Sequence, residues 1–385
     1  MLVRRIRPLQ AALLLAIMAG SGSSASQIGS TTPQPCPGRS GEVIPVRSLG
    51  AEQPNLILDA DFPDPFVGRF NGAYHAYATG VRVGAAQLNV QRVQSSDLTR
   101  WSAPAEALPQ ENLPAWVDRG HPQVWAPEVM QVGGRYVLYF NARHHALTRT
   151  ERSEKGLRVL RRHCLGAAVA DTPQGPFRGI DEPLVCAELA DGAIDASPFR
   201  DGDSLYLYYK DDGNCCGHGS GLYVQGLSPD GLAVLGPRHK LLENSDSPEQ
   251  HDDWEWQVVE APTMVKRAGA YYLFYSGNFF GNKNYAVGYL KCESPRGPCR
   301  DSGDNPILWS HAKSPLVGPG HQAIFEEEGR TYAFFHGWNA DPAGNEAKAA
   351  SARRCLYVSR VRWDRWRQVP HDVPTIVGGS PTPRP

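Results

Sequence analysis

The chain has 385 residues, in which 39 lysines and arginines are nearly balanced by 40 aspartates and glutamates. This balance removes the usual argument for a nucleic-acid partner and weakens the case for a polybasic membrane contact. Hydrophobic residues at 41% and charged residues at 21% indicate a globular chain. The 39 glycines and 32 prolines exclude long helices, because both residue types interrupt helical backbone.

The N-terminus has the pattern of a secretory signal peptide. Three arginines at positions 4, 5 and 7 precede an apolar run from Leu9 to Ala19, and small residues follow as far as Ala25. The apolar run is too short to span a bilayer, and no second run of spanning length occurs in the sequence. We therefore predict a signal peptide at residues 1–25 and a secreted protein, extracellular or periplasmic, that makes no membrane contact after cleavage.

Eight cysteines agree with an oxidising compartment, where an even number usually forms disulfides. Cys292 and Cys299 flank a short turn-rich segment, and Cys164 and Cys186 bracket a second one. These are two candidate pairs among 105 arrangements of eight cysteines, and spacing alone leaves the choice open. A zinc site is less favoured, because the sequence lacks a C-x2-C pair.

Between a Ser/Gly/Pro-rich arm at residues 26–50 and a predicted flexible tail at residues 371–385, one pattern recurs five times. Each copy has a short apolar strand, a turn and an alternating aromatic strand, which is typical of a β-hairpin. The copies begin near Asp64, Ala126, Ser197, Ala261 and Gln322. A spacing of about 60 to 70 residues suffices for a four-stranded sheet. The sequence therefore predicts an all-β, five-bladed β-propeller at residues 51–370 rather than a sandwich with similar hairpins.

Three copies carry an acid just before the strand that should lie closest to the propeller axis. These acids are Asp64, Asp195 and Glu260, while the second copy has Trp125 and the fifth has His321. We expect all of these residues to converge on one central cavity.

Carboxylates brought together on an axis raise one another's pKa values, which suits a general acid near neutral pH. Glycoside hydrolysis needs one protonated and one ionised carboxyl group. The aromatic faces of Phe62 and Trp125 could contact a sugar ring there.

The segments Phe62-Pro63-Asp64-Pro65, Trp125-Ala126-Pro127-Glu128, Ile194-Asp195-Ala196-Ser197, Glu260-Ala261-Pro262 and Gly318-Pro319-Gly320-His321 resemble glycoside hydrolase family 43. The resemblance extends from about Leu56 to Trp366. It implies hydrolysis of arabinose- and xylose-containing polysaccharides with inversion at the anomeric carbon. α-L-Arabinofuranosidase or arabinanase activity is favoured, and β-xylosidase activity is the alternative.

The resemblance also assigns roles to single residues. It makes Asp64 the general base, Glu260 the general acid and Asp195 the carboxylate that tunes and orients that acid. An inverting pair should stand about 6.5 to 9.5 Å apart. His321 would belong to the shell of a structural calcium ion or a water near the axis, and the chemistry itself would need no cofactor. We expect the protein to act on its polysaccharide as a monomer.

Two other classes of function remain open at this point. A retaining five-bladed fructosidase would hold its carboxyl groups about 5 to 5.5 Å apart. A carbohydrate-binding propeller without catalysis would not need all three acids. The segment from Arg143 to Arg162, rich in arginine and histidine, has no evident counterpart in the family pattern, and we expect it to shape the substrate subsites. Glu128 falls inside a predicted strand and is interpreted as a secondary or structural acid.

Overall fold

Alternating aromatic strands joined by tight turns account for most of the described structure. The computed structural model describes residues 35–37, 46–153, 156–186, 191–216, 219–244, 254–301, 303–312, 316–340, 352–365 and 372–378. All of them belong to one compact unit, Pro33–Pro385. The predicted signal peptide and most of the N-terminal arm lie outside the described residues.

The described residues form twenty-three strands and three short 3-10 helices. The first eleven strands are β1 (Asn55–Leu58), β2 (Phe66–Phe70), β3 (Ala73–Thr79), β4 (Arg82–Val83), β5 (Ala86–Gln87), β6 (Val90–Ser95), β7 (Ala105–Glu106), β8 (Trp125–Val132), β9 (Arg135–Ser153), β10 (Gly156–Ala170) and β11 (Arg178–Gly179). The others are β12 (Ala193–Asp201), β13 (Ser204–Asp211), β14 (Gly221–Leu227), β15 (Val234–Glu243), β16 (Val259–Arg267), β17 (Ala270–Gly277), β18 (Ala286–Cys292), β19 (Cys299–Asp301), β20 (Gly320–Glu327), β21 (Arg330–Trp338), β22 (Arg354–Arg365) and β23 (Asp372–Ile376). The 3-10 helices are Val46–Ser48, Gln110–Asn112 and Gly213–Cys216.

The strands form five antiparallel blades of a β-propeller, as the repeat predicts. Blade I is β2-β3-β6-β7, blade II is β8-β9-β10-β11, blade III is β12-β13-β14-β15 and blade IV is β16-β17-β18-β19. Blade V is β20-β21-β22-β1, and β4 pairs with β5 as a separate small hairpin. The first strand of each blade lies innermost, so the starts of β2, β8, β12, β16 and β20 meet around the axis.

Blade V closes the ring with strands from both ends of the chain. The N-terminal strand β1 pairs with β22, with Asn55 opposite Val358. A disulfide joins Cys36 of the arm to Cys355 of β22. Farther along β22, β23 pairs through Ile376 opposite Val361. Residues 372–376 therefore continue the fold beyond the domain end predicted at residue 370, because β22 extends past β1 and offers them an open edge.

Apolar side chains fill the spaces between neighbouring blades in five clusters. Many are aromatic and almost fully buried, among them Tyr77, Tyr139, Tyr209, Tyr275 and Tyr357. The alternating aromatic pattern in the sequence reflects this packing, because side chains on a strand alternate between its two faces.

Two disulfides confirm the predicted cysteine pairs, Cys164–Cys186 and Cys292–Cys299. The Cys36–Cys355 bridge was not predicted. Among the described residues, none forms a helix with the length and hydrophobicity required to cross a bilayer.

The Cys36–Cys355 disulfide closes a loop across 319 positions, whereas Cys292–Cys299 spans only 7. Replacing Cys36 and Cys355 together by alanine should lower the free energy of unfolding by about 3–5 kcal/mol, because the open chain gains conformational entropy. The matched double variant Cys292→Ala/Cys299→Ala should lose about 2 kcal/mol. Urea unfolding under non-reducing conditions measures both values, and equal losses would contradict ring closure as the main effect.

Candidate active site

Each innermost strand begins with the same backbone feature. One residue adopts the left-handed conformation, with φ between 45° and 58°, and the positions are Asp64, Ala126, Asp195, Ala261 and His321. In blades II to V this residue lies within a β-bulge, where the register with the second strand shifts. Bulges redirect side chains, and left-handed backbone at residues other than glycine clusters at functional sites.

The three acids do not occupy equivalent backbone positions at the starts of their strands, which differs from the prediction. Asp64, Asp195 and His321 occupy the left-handed position, but Glu260 stands one residue earlier, at the position that Trp125 occupies in blade II. The acids therefore approach the axis from two backbone positions rather than one. The sequence could not reveal this offset, because the extra residue of a bulge leaves no local signature.

Five of the six predicted site residues, all except Phe62, nevertheless line one cavity of about 650 Å³. Its lining comes from all five blades, and it includes Asp64, Trp125, Asp195, Glu260, His321, Arg143, Arg161, His163, Asp212, Trp256, Phe280 and Arg354. The structure thus brings together side chains that are up to 290 positions apart in sequence.

Phe62, predicted as a platform for a sugar ring, does not line this cavity. Its side chain is 0% exposed and packs in the hydrophobic cluster that contains Ile57, Val67 and Leu356. The prediction is wrong because the backbone turns at Pro63 and Asp64, so the phenyl ring points between blades V and I. Phe280 and Trp256 provide aromatic surface to the cavity instead.

Asp64 is held as a carboxylate. Its Oδ2 accepts a hydrogen bond from Thr79 Oγ1 at 2.6 Å, and its Oδ1 lies 2.9 Å from Nη1 of Arg354. Nδ1 atoms of His321 and His336 are each 3.5 Å from Oδ1. Burial alone would raise the pKa of Asp64, but Arg354, His321 and the hydroxyl of Thr79 outweigh it and hold that pKa well below its usual range.

The pKa of Asp195 is shifted in the opposite direction. Burial raises its pKa to about 6, with a further contribution from the nearby charge of Glu260, while His321 and Lys210 act in the lowering direction. Its Oδ2 accepts a hydrogen bond from the backbone N–H of Ala261 at 2.9 Å. Asp195 is therefore tied to the residue that follows Glu260, and its charge changes near the pH at which many enzymes work.

Glu260 receives a hydrogen bond on each carboxylate oxygen. Nζ of Lys210 donates to Oε2 at 2.9 Å, and the hydroxyl of Tyr285 donates to Oε1 at 2.7 Å. Lys210 is fully buried and also donates to Oδ1 of Asn214 at 2.7 Å. Burial alone would lower the pKa of Lys210, but Glu260, Asp195 and Asp212 raise it, so the ammonium stays charged. The position of Glu260 is thus fixed by β13 of the neighbouring blade III and by the residue that precedes β18 of its own blade.

The five left-handed residues are linked around the axis by hydrogen bonds between neighbouring blades. Each backbone N–H donates to a side chain of the preceding blade, and the pairs are Asp64 to His336, Ala126 to Thr79, Asp195 to Asn141, Ala261 to Asp195 and His321 to Ser276. Four of the acceptors are on the second strand of their blade. The corresponding residue of blade III is Lys210, which has no acceptor atom, so the carboxylate of Asp195 takes its place.

His336 is neutral in this network. Its Nδ1 accepts the hydrogen bond from the N–H of Asp64, so the proton of the imidazole resides on Nε2. Within the described part of the chain, that buried Nε2 has no hydrogen-bond partner. Burial lowers the pKa of His336 well below its ordinary value, and Arg354 lowers it further. The ring stacks on Tyr285 with centroids 5.7 Å apart, which connects the surroundings of Asp64 to those of Glu260.

Aromatic side chains line the cavity around these acids. Trp125 stacks on His163 with ring centroids 4.0 Å apart. Trp256 is 48% exposed in a turn before β16, whereas its neighbour Trp254 packs into blade IV against Gly277 and Gly288. Exposed indole faces suit contact with the apolar faces of sugar rings.

The possible metal ligands near His321 fit a calcium site poorly. Calcium prefers six to eight oxygen ligands. The nearest carboxylate to His321, that of Asp64, already binds Thr79 and the cationic Arg354. In the ranges that the structure describes, the only cluster of three metal-ligating residue types is Cys36, Asp59 and Cys355, and both of its cysteines are disulfide-bonded. An ion at His321 would therefore be held mainly by water.

Several residues of the site are not predicted from the sequence. Lys210, Tyr285, His336 and Arg354 all contact the predicted acids, yet each comes from a second or third strand or the residue just before one. A signal exists for two of them, because Lys210 and His336 follow two aromatic residues in otherwise apolar strands. Glu128 is confirmed as a residue inside β8. Burial raises its pKa to about 8, and Ser197 donates a hydrogen bond to it.

Comparisons with known proteins agree with this architecture. A thermostable family-43 glycoside hydrolase of known structure superposes with a TM-score of 0.64 at 24% identity, covering 84% of this chain and 95% of that one. An endo-1,4-beta-xylanase from Bacteroides thetaiotaomicron superposes with a TM-score of 0.62 at 26% identity, covering 84% and 96%.

Sequence relatives cover similar shares. Xylosidase/arabinosidase 43A of Humicola insolens is 27% identical over 78% of this chain and 95% of its own length. An extracellular exo-alpha-(1->5)-L-arabinofuranosidase of Streptomyces chartreusis is 25% identical over 70% and 77%. The model of the glycosyl hydrolases family 43 matches residues 53–366. Because this match covers most of the chain, the protein belongs to glycosyl hydrolase family 43 and is a glycoside hydrolase.

Proposed function

We propose that the protein is an exported, monomeric, inverting glycosidase that cleaves arabinose- or xylose-containing polysaccharides or their fragments. The observation that carries this proposal is the meeting of Asp64, Asp195 and Glu260, from three different blades, in one cavity. The favoured activity is that of an α-L-arabinofuranosidase or arabinanase, and β-xylosidase activity is the alternative. The names of the relatives, which include arabinofuranosidases, arabinanases and xylosidases, support this substrate class. The disulfides Cys36–Cys355, Cys164–Cys186 and Cys292–Cys299 and an extracellular relative support export.

In the proposed mechanism Asp64 is the general base. Its carboxylate, kept ionised by Arg354, takes a proton from water while the water oxygen attacks the anomeric carbon. The bond from that carbon to the glycosidic oxygen breaks in the same step. The departing oxygen takes the proton of Glu260, the general acid.

Lys210 and Tyr285 then stabilise the carboxylate that Glu260 becomes, because both already donate hydrogen bonds to its oxygens. Asp195 holds the backbone beside Glu260 and thereby orients the acid.

The substrate class and stereochemistry are tested together. The protein should release a pentose from arabinan, arabinoxylan or xylo-oligosaccharides, and proton NMR should show the inverted anomer before mutarotation. Glu260→Gln should reduce kcat by about 10²–10⁴ on substrates with a poor leaving group. Release of the retained anomer would overturn the mechanism, and inactivity on every pentoside would overturn the substrate class.

The acid limb of the pH profile should belong to Asp195. Its pKa is raised to about 6, so it loses its charge as the pH falls through that value, whereas Asp64 stays ionised to much lower pH. The profile of kcat/KM should therefore fall below about pH 6. Asp195→Asn keeps an oxygen for the Ala261 N–H but removes the titration, so the limb should move to lower pH with a reduced kcat.

The matched control is Asp201→Asn, an aspartate at the other end of β12 that binds Lys266 and Tyr271. Its acid limb should stay at the wild-type position. An unmoved limb in Asp195→Asn, or an equal movement in Asp201→Asn, would assign the titration to another group.

We also propose that the reaction needs no resident metal ion and that calcium, where bound near His321, acts on stability. Dialysis against EDTA should change kcat/KM by less than about twofold, because Asp64 and Glu260 supply both proton transfers. Differential scanning calorimetry with and without calcium reports the stability effect. Loss of activity in EDTA that calcium restores would contradict this proposal.

A further inference from the structure

The second and third strands of blade II extend much farther than those of the other blades. β9 has 19 residues and β10 has 15, whereas the corresponding strands elsewhere have between 6 and 12. Pairing continues past Arg143 opposite His163 to the end of the hairpin. The parts of β9 and β10 next to the cavity, residues 143–148 and 159–162, are called here the basic hairpin, and they contribute Arg143, Leu160 and Arg161 to the cavity lining. The hairpin therefore forms part of one wall of the active-site cavity.

The charge of this wall is opposite to that of the acids it faces. Residues 143–148 and 159–162 contain three arginines and no aspartate or glutamate, a formal excess of three positive charges in a chain whose net charge is -1. The overall balance of the chain hides this local excess. Such a concentration of one sign beside a cavity attracts ligands of the other sign.

Arg161 has hydrogen-bonding capacity available for a ligand. Its side chain is 42% exposed, and its Nε forms an ion pair with Oδ2 of Asp118 at 3.8 Å, a separation too long for a hydrogen bond. It makes no hydrogen bond to another described residue. Arg354, in contrast, is engaged by Asp64 and packs over Phe280 at 5.0 Å. The cavity is thus lined by Arg354, which binds the base, and by Arg143 and Arg161 of the basic hairpin, of which Arg161 is the exposed one.

The ligand chemistry follows from these arginines and from the proposed function, on which this inference rests. Guanidinium groups bind carboxylates in a planar, two-point geometry. The carboxylates of Asp64 and Asp195 would repel an anionic group from the point of cleavage, so such a group is favoured beside the wall instead. We propose that the basic hairpin forms a subsite for a carboxylate-bearing sugar, a uronic acid residue close to the scissile pentoside.

The test compares matched pentose oligosaccharides that differ in one group: one carries a glucuronic acid residue, one its methyl ester, and one no substituent. At low salt the wild-type kcat/KM should be about tenfold higher for the acid than for the ester, as hydrogen bonds to a charged group allow. The ester should match the unsubstituted substrate, and high salt should reduce the preference. Equal values for acid and ester would overturn the proposal while leaving the pentosidase activity intact.

The variant Arg143→Gln/Arg161→Gln should bring the acid-to-ester ratio close to one, and Arg161→Gln alone should lower it in part. The matched control is Arg135→Gln, an exposed arginine at the opposite end of β9. Its ratio should equal that of the wild type. An equal loss of preference in Arg135→Gln would mean that overall charge, and not the basic hairpin, selects the substrate.

Affinity measurements test the uronic acid subsite independently of the proposed catalytic activity. Calorimetry with Glu260→Gln measures affinity for the acid and its ester without turnover. Tighter binding of the acid that disappears when Arg143→Gln and Arg161→Gln are added would support the subsite, even if no pentoside is cleaved. Equal binding of acid and ester would overturn the subsite whatever the activity.

Discussion

The hydrogen bonds that link the five left-handed residues around the axis are the interaction on which the site depends. Left-handed backbone at a residue with a side chain costs about 1–2 kcal/mol, so it persists only where the surroundings hold it. Here the holding group is an acceptor side chain of the preceding blade, such as Thr79 for Ala126 or Ser276 for His321. Each blade thereby fixes the start of the next one, and the side chains that begin the inner strands point into a common cavity.

Blade III differs from this pattern, and the residue that differs contacts the general acid Glu260. Where other blades have an acceptor on the second strand, blade III has Lys210, which donates to Glu260. The N–H of Ala261 is satisfied by Asp195 instead. One substitution in the repeat therefore both places a cation beside Glu260 and obliges Asp195 to remain close to it. The two acids have different pKa values because their surroundings differ. The pKa of Asp64 is low because Arg354 contacts it, whereas that of Asp195 is about 6 because Asp195 is buried beside Glu260.

The features of the fold that are local and repeated could be predicted from the sequence. The five hairpins and the acids at their starts are visible because strand alternation and turn chemistry act over a few residues. The one-residue offset of Glu260 and the burial of Phe62 were missed, because both depend on how the chain turns at a bulge or a proline. Arg354 was missed for a different reason: it contacts Asp64 across 290 positions, and no local pattern indicates such a pair.

Closure of the propeller and the chemistry of the base share the same few residues. Arg354 stands directly before Cys355, whose disulfide attaches the N-terminal arm to β22, and the same strand pairs with β1. Its carbonyl accepts a hydrogen bond from the N–H of Phe62, its N–H donates to Asp61, and its guanidinium binds Asp64. The start of blade I is therefore positioned by the strand that completes the ring. Because Glu260 is held within blades III and IV, loosening of the closure would displace the base from its cation while leaving the acid in place.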